Sequence, residues 1–114
     1  KTLLIAGRVK ATTDAVIGTE AVASLQHYHF SKGFFGTNGI TVEEGFTTPD
    51  IEEAMNKRVA MEHCRKCYVL ADASKFEALS NVSFGPLSKG VIITAAQEGL
   101  NVRSYKQHTE VIVL

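Results

Sequence analysis

The sequence predicts one α/β domain, a layered and mostly parallel β-sheet with helices on both faces. Two observations lead to this prediction. Several predicted strands are continuous apolar runs, such as "CYVLA" (67–71) and "GVIITA" (90–95), which are typical of strands buried on both faces of a sheet. These runs alternate with helical segments along the chain, the order that produces parallel strands joined by crossover helices.

The first third of the chain predicts a strand, a helix and a second strand. "TLLIA" (2–6) is the first strand, closed by a glycine and a polar stretch. "IGTEAVASLQHY" (17–28) is a short helix, because its apolar residues are spaced to share one face. "HFSKGFFG" (29–36) is the next strand, and "GTNG" (36–39) after it has strong turn chemistry.

The segment 47–66, "TTPDIEEAMNKRVAMEHCRK", carries the clearest helix start in the chain. Thr48 is the expected N-cap and Pro49 suits the first turn. Acidic residues that complement the positive end of the helix dipole follow, namely Asp50, Glu52 and Glu53. Arg65 and Lys66 are expected at the C-terminal end of this helix.

The second half of the chain predicts three more strands and one weak helix. "CYVLA" and "GVIITA" are buried strands, and "VSFGPL" (82–87) between them is an irregular segment or a short edge strand. "EGLNVRSYKQH" (98–108) is a weak helix, since glycine and asparagine lower its propensity. "TEVIVL" (109–114) is the last strand.

The composition is that of a single globular domain. All 114 residues fit one domain, with 45% hydrophobic and 21% charged residues and no repeat or linker. The 12 basic residues balance the 12 acidic ones, so the chain has no net positive charge that would attract it to the phosphate backbone of a nucleic acid. No apolar run approaches the length of a membrane helix and no signal-peptide pattern is present. A cytoplasmic protein is therefore expected.

The cysteines and histidines do not predict a metal or catalytic centre. Cys64 and Cys67 form a CxxC pair, but no second pair of ligands follows to complete a structural zinc site. Buried, reduced thiols are expected instead. None of the four histidines has an acid or a nucleophile at a spacing typical of a catalytic site, so surface or packing roles are expected for His27, His29, His63 and His108. We predict no cofactor, no metal and no catalytic residue.

Three strand ends carry residues suited to binding a ligand. In "FFGTNGI" (34–40), two glycines let the backbone approach a ligand and Asn38 offers a donor and an acceptor, although the same residues suit a tight turn with Asn38 or Gly39 at positive φ. In "EEGFTTPD" (43–50), the helix start is either an anion site or an ordinary cap. In "ADASK" (71–75), the charge of Lys75 suits a phosphate, or it is a solvated lysine after a plain turn.

Taken together, these sequence motifs resemble those of one protein family. "GFFGTNGITVEEGFTTPDIEEAMNKR" (33–58) and "VLADASKF" (69–76), followed by a Phe-x-x-Leu (84–87) and an Ile-Ile-Thr (92–94), resemble the C-terminal sensor domain of DeoR-family bacterial transcriptional repressors. The run 31–40 and "GFTTPDIEEA" (45–54) look most like repressors of sugar-phosphotransferase operons, particularly fructose ones. The likeness extends from about residue 7 to residue 114.

The resemblance implies a fold shared with ribose-5-phosphate isomerase and the coenzyme A transferases. It also implies a role, in which a phosphorylated sugar, fructose 1-phosphate being one candidate, binds the domain and releases a helix-turn-helix domain from operator DNA. Residues 1–114 are then expected to be a fragment that contains a single effector-sensing domain. The DNA-binding helix-turn-helix domain, and the phosphate-binding loop at the N-terminal start of the sensor domain, are expected to be missing from it. A homo-oligomer is expected, with DNA contacted through the missing domain only.

The main alternative is an enzyme of the same fold. In the sugar-phosphate isomerases, an Asp-Gly-Ala-Asp loop, a Lys-Gly-Gly-Gly segment and a helix glutamate transfer the proton. Phe35 and Asn38 stand here at the two aspartates, Glu44 at the lysine and Lys57 near the glutamate. Neither Phe nor Asn can serve as a general base, so a sensor is favoured over a catalyst. A purely structural oligomerisation domain is the second alternative.

The resemblance also assigns the residues of an effector cleft. Lys75 is expected to pair with the phosphate or a ring hydroxyl, and Asp72 to orient its loop or to accept a hydroxyl. The opposite wall is expected to comprise Gly36, Thr37, Asn38 and Gly39, with Lys57 as a second positive charge. Two positions depart from the family pattern, since Ser31 and Ala95 stand where the family usually has aspartate.

Overall fold

A computed structural model of the chain describes residues 3–6 and 29–114. Its strands in chain order are β1 (Leu3–Ala6), β2 (Phe30–Gly36), β3 (Gly39–Thr41), β4 (Gly45–Thr48), β5 (Cys64–Leu70), β6 (Val82–Gly85), β7 (Val91–Thr94) and β8 (Val111–Val113). Five of them form one sheet in the order β1-β2-β5-β7-β8. Every neighbouring pair in this sheet is parallel, which confirms the mostly parallel α/β architecture.

A second, antiparallel sheet has the order β3-β4-β6. No strand is predicted between Gly36 and the expected helix start at Thr48, and the segment of β6 is predicted as irregular or as a short edge strand, so β3 and β4 are additions. Gly45 makes their turn possible, because its φ is +73° and a Cβ there would lie 2.2 Å from the carbonyl oxygen of Gly85. The alternative of a tight turn with Asn38 or Gly39 at positive φ is wrong, since neither residue has one.

Helix α1 spans Ile51–Glu62 and begins two residues later than its expected cap implies. The N-cap is Asp50, whose carboxylate accepts a 2.9 Å hydrogen bond from the backbone N–H of Glu53. Thr48 instead ends strand β4, where its side chain is buried. The expected basic C-terminus is also wrong, because the helix is capped at His63 and the residues that follow belong to β5.

The core lies between one face of the parallel sheet and a layer made by α1 and the small sheet. Its members include Phe35, Val69 and Ile92 from the parallel sheet, Phe46 and Phe84 from the antiparallel sheet, and Ala54, Ala60 and Met61 from α1. The helix expected at 17–28 lies outside the described residues. Helices on both faces, and the likeness to the isomerase and transferase fold, therefore stay predictions.

The predicted helix at 98–108 is reduced to one turn, α2 (Arg103–Lys106). Before it, Gly99 has a φ of +87° and the side chain of Asn101 accepts from the N–H of Arg103, so the preceding residues form turns. The turn is fixed by Tyr105, which is buried in the core. None of the helices in the described part of the chain is long and apolar enough to cross a membrane.

Candidate functional site

A cavity of about 470 Å³ lies where strand β2 ends and helix α1 begins. It is lined by Gly36, Thr37, Asn38, Pro49, Glu53 and Lys57. Parallel sheets bind ligands beyond the carboxyl ends of their strands, and this cavity has that position. Four residues expected from the sequence meet here, together with two that were not expected.

Lys57 is the most constrained polar group of the cavity. It is only 4% exposed, and its ammonium donates a 2.8 Å hydrogen bond to the carbonyl oxygen of Gly36. The same ammonium lies 3.1 Å from the carboxylate of Glu53, one helical turn earlier, and 4.9 Å from the ring centre of Phe84. A buried lysine needs such partners because losing water disfavours its charge. Lys57 therefore fastens α1 to the end of β2.

Thr37 and Asn38 hold the loop that leaves β2. The Thr37 hydroxyl is within hydrogen-bonding distance of the carbonyl oxygens of Gly39 and Thr47, at 2.9 and 3.1 Å. The Asn38 side chain accepts a 3.2 Å hydrogen bond from the hydroxyl of Thr48 through Oδ1. Asn38 is exposed, so the two N–H groups of its amide are the part of the side chain suited to a ligand.

Glu53 was assigned only to the helix dipole in the sequence analysis, and its role in the cavity was missed. The signal was present, because Glu53 and Lys57 are four residues apart and such residues share one helical face. Pro49 was placed in the first helical turn but precedes the N-cap and lines the cavity.

Gly39 is placed away from this lining. It lies in β3, and a Cβ there would come within 2.2 Å of the Ala78 carbonyl oxygen and 2.8 Å of the Thr47 hydroxyl. A side chain at this position would collide with backbone, so close packing explains the glycine. Its proposed contact with an effector stays a prediction.

Asp72 and Lys75 lie beyond the end of β5, the strand next to β2. Asp72 caps a single 3-10 turn, Ala73–Lys75, by accepting hydrogen bonds from the backbone N–H and hydroxyl of Ser74. These two bonds are the main reason that the pKa of Asp72 lies below its ordinary value of 3.8, with the charge of Lys75 a smaller cause. The ammonium of Lys75 lies 3.6 Å from the Asp72 carboxylate and 3.4 Å from the Ser74 hydroxyl.

The two strand ends line different cavities in the described part of the chain. Asp72 lines a second cavity, of about 690 Å³, which is otherwise bounded by residues 73–74, 76–77 and 97–101. Lys75 lines neither cavity. The segment after β5 is nevertheless joined to β3, because Phe76 forms a parallel bridge with Ile40 and Glu77 donates its N–H to the Ile40 carbonyl at 2.8 Å. A single effector cleft that contains all seven expected residues stays a prediction. These residues are Gly36, Thr37, Asn38, Gly39, Lys57, Asp72 and Lys75.

The CxxC pair lies at the start of β5, far along the strand from the cavity. Both thiols are free, and Cys67 is buried while Cys64 is partly buried. A hydrogen bond from the Cys64 thiol lowers the pKa of Cys67, and Cys67 Sγ lies 3.4 Å from the carbonyl oxygen of Met61. Residues 3–6 and 29–114 contain no group of three or more His, Cys, Asp or Glu residues able to hold a metal ion.

Comparison with known proteins gives one family. A family model described as "DeoR C terminal sensor domain" matches residues 1–96. The chain is 41% identical over 111 residues to the "Uncharacterized HTH-type transcriptional regulator FruR" of Bacillus subtilis, which covers 97% of this chain and 44% of that protein. It is 35% identical over 86 residues to the "HTH-type transcriptional regulator GlpR" of Haloferax volcanii, covering 75% and 34%.

A third relative is the "Lactose phosphotransferase system repressor" of Streptococcus mutans, 31% identical over 110 residues, covering 96% of this chain and 43% of that protein. The chain thus spans less than half the length of the three relatives. These three relatives are named as transcriptional regulators or as a repressor, which agrees with the predicted sensor in place of an enzyme. With the matched residues covering most of its length, this chain belongs to the family of DeoR C-terminal sensor domains.

Proposed function

We propose that this chain is the regulatory effector-binding domain of a transcriptional repressor of sugar metabolism. Its effector is a phosphorylated sugar, and fructose 1-phosphate is the first candidate. Binding of the effector changes the affinity for operator DNA of a helix-turn-helix domain that lies outside these 114 residues. The family and the printed names of the relatives support a regulatory role.

The observation that carries the proposal is the cavity at the end of β2. Gly36, Thr37 and Asn38 reach it from the strand end, and Lys57 reaches it from α1. A cavity of about 470 Å³ is within the usual size of small-molecule sites, about 300–1,000 Å³. Its polar groups are held by hydrogen bonds before any ligand arrives, which lowers the entropy cost of binding.

Lys75 and Asp72 form the second part of the proposal. Lys75 is about one-third exposed at the adjacent strand end, so its ammonium is accessible to a phosphate that extends beyond the cavity. A lysine acts there as a point charge. Asp72 holds the loop through Ser74 and so positions Lys75.

A melting experiment on the full-length protein with a panel of sugar phosphates tests this function. Binding to the native state at 100 times the dissociation constant adds about 2.7 kcal/mol to the free energy of unfolding. For a domain of this size, the melting temperature rises by on the order of 10 °C. Circular dichroism is a suitable probe, since the chain has no tryptophan. A panel without any shift would contradict the proposal, and turnover of ribose 5-phosphate would replace it by an enzyme.

Self-association belongs to the same proposal. Strand β8 is an edge of the described sheet, and Val113 and Leu114 at its end are 42% and 77% exposed. An exposed apolar edge strand is suited to pairing with another copy. Light scattering after size exclusion should give a mass above that of one chain, and a monomer at micromolar concentration would contradict this part.

A further inference from the structure

We propose that the cavity between β2 and α1 holds the uncharged, hydroxyl-bearing part of the effector and leaves the phosphate outside. This inference rests on the proposed function. It assigns the sugar hydroxyls to the polar groups of the cavity and the phosphate to groups outside it. It differs from the expectation that Lys57 supplies a second positive charge for the phosphate.

The charges of the cavity give the first argument. Among the described residues of the lining, Lys57 supplies an ammonium, and this group is already 3.1 Å from the carboxylate of Glu53, so these two side chains balance each other's charge. A phosphate dianion that entered would be attracted by Lys57 and repelled by Glu53, in a pair that is largely removed from water. A neutral sugar ring meets no such opposition. The pair of Lys75 and Asp72 is longer, at 3.6 Å, and more exposed, so water and salt screen the repulsion from Asp72.

The start of α1 does not change this balance. Helix N-termini attract anions through free N–H groups, but the Asp50 carboxylate already accepts from the N–H of Glu53. Glu52 adds another negative side chain in the first turn. An anion near this turn would therefore meet several carboxylates, which disfavours phosphate there.

The hydrogen-bonding groups give the second argument. A carboxylate such as that of Glu53 only accepts hydrogen bonds, and a phosphate dianion also only accepts them. A sugar hydroxyl can donate to Glu53 and accept from the amide of Asn38 or from an ammonium. The mixture of an acceptor and donors in this lining therefore suits a polyol.

Glu53→Gln is the discriminating variant. It keeps the size of the side chain, removes the negative charge and replaces one acceptor oxygen by a donor. We expect it to weaken the binding of the sugar phosphate by about tenfold or more, because a charged hydrogen-bond acceptor is lost. Inorganic phosphate should bind the variant more tightly than the unaltered protein, because the repulsion from Glu53 is removed and the charge of Lys57 is left unbalanced. Isothermal titration calorimetry measures both affinities.

Glu52→Gln is the matched control. It makes the same charge change in the same helical turn at an exposed residue outside the cavity lining. Its affinity for the sugar phosphate should stay within about twofold of the unaltered protein, as expected for a surface substitution. Equal losses in the two variants would show a general charge effect and overturn the inference.

A measurement on the unaltered protein gives a second test. In ¹⁵N-resolved NMR spectra, the side-chain amide signals of Asn38 should shift on addition of fructose and stay in place with inorganic phosphate. Undiminished binding of the sugar phosphate to Glu53→Gln, or Asn38 shifts with phosphate and none with fructose, would overturn the inference and leave the proposed function standing. If no sugar phosphate binds the unaltered protein, both proposals fail together.

Discussion

The hydroxyl of Tyr105 donates a 3.0 Å hydrogen bond to the carbonyl oxygen of Ile40, a residue 65 positions earlier in the chain. The same hydroxyl also accepts from the backbone N–H of Glu77 and contacts its carboxylate. Burial, with a smaller contribution from Glu77, raises the pKa of Tyr105, so the phenol stays a donor. The last helical turn is thus tied to β3 and to the loop that carries Asp72 and Lys75.

Tyr105→Phe should therefore destabilise the domain. The buried carbonyl of Ile40 keeps its hydrogen bond from the N–H of Glu77, so loss of the hydroxyl should cost about 0.5–1.5 kcal/mol in the free energy of unfolding, the net contribution of one hydrogen bond. Tyr68→Phe is the matched control, because the Tyr68 ring is partly buried against Phe34 and no hydrogen bond of its hydroxyl to a described residue is observed. Urea unfolding measures both, and similar losses would contradict the role given to the Tyr105 hydroxyl.

Gly39→Ala should be more harmful than Gly36→Ala. A Cβ at Gly39 meets backbone at 2.2 Å, and such overpacking costs about 1–3 kcal/mol. At Gly36 nothing lies within 4 Å of the added atom, so the free energy of unfolding should stay the same or rise by up to about 1 kcal/mol. Thermal unfolding of the two variants without ligand gives the comparison. A Gly36→Ala variant that is the less stable of the two would refute it.

Asp50→Ala should shorten or loosen the start of α1. The lost cap costs about 0.5–2 kcal/mol in the free energy of unfolding. Asp50→Asn keeps a good capping side chain and should retain most of that stability. Chemical denaturation of the pair separates the cap from the charge, and an equally large loss in Asp50→Asn would assign the effect to charge instead.

The carboxyl of Asp72 should titrate below 3.8 in the folded protein. A pKa that folding lowers contributes stability above the unfolded pKa, near 3.9, and that contribution is lost as the pH falls through the folded pKa. Ser74→Ala keeps the backbone N–H bond but loses the hydroxyl bond, which is the largest single cause of the lowered pKa, so it should move the NMR titration midpoint back towards 3.8. Lys75→Ala should move it less, because the charge of Lys75 is a smaller cause. The opposite ranking would show that the ion pair dominates.

Lys75→Ala should remove most of the melting shift caused by a sugar phosphate. The lost contact is a charge-assisted hydrogen bond worth about 1.5–3 kcal/mol of binding free energy. Lys66→Ala is the control, since Lys66 is an exposed lysine nearer the opposite end of β5. An unchanged shift in Lys75→Ala would take Lys75 out of the site and leave the β2–α1 cavity as the whole of it.

Local sequence determined the strands of the parallel sheet and the family. Strand β7 and the second half of β5 are apolar runs, which are typical of strands in a covered parallel sheet, so their existence follows from composition over a few residues. Helix α1 was equally predictable from its acidic first turn, although its cap was placed at Thr48 in place of Asp50. Both residues are good caps, and local preference alone cannot choose between them.

Tertiary structure decided the antiparallel sheet and the composition of the cavity. Strands β3 and β4 are too short and too rich in glycine and threonine to be predicted as strands from the sequence. They form because β6, from a distant part of the chain, pairs with β4. Lys57 appears in the sequence as a charged helix residue, yet the carbonyl of Gly36 and the carboxylate of Glu53 let its ammonium be buried. Pairing between distant segments and the burial of charge depend on neighbours that only the folded chain brings together.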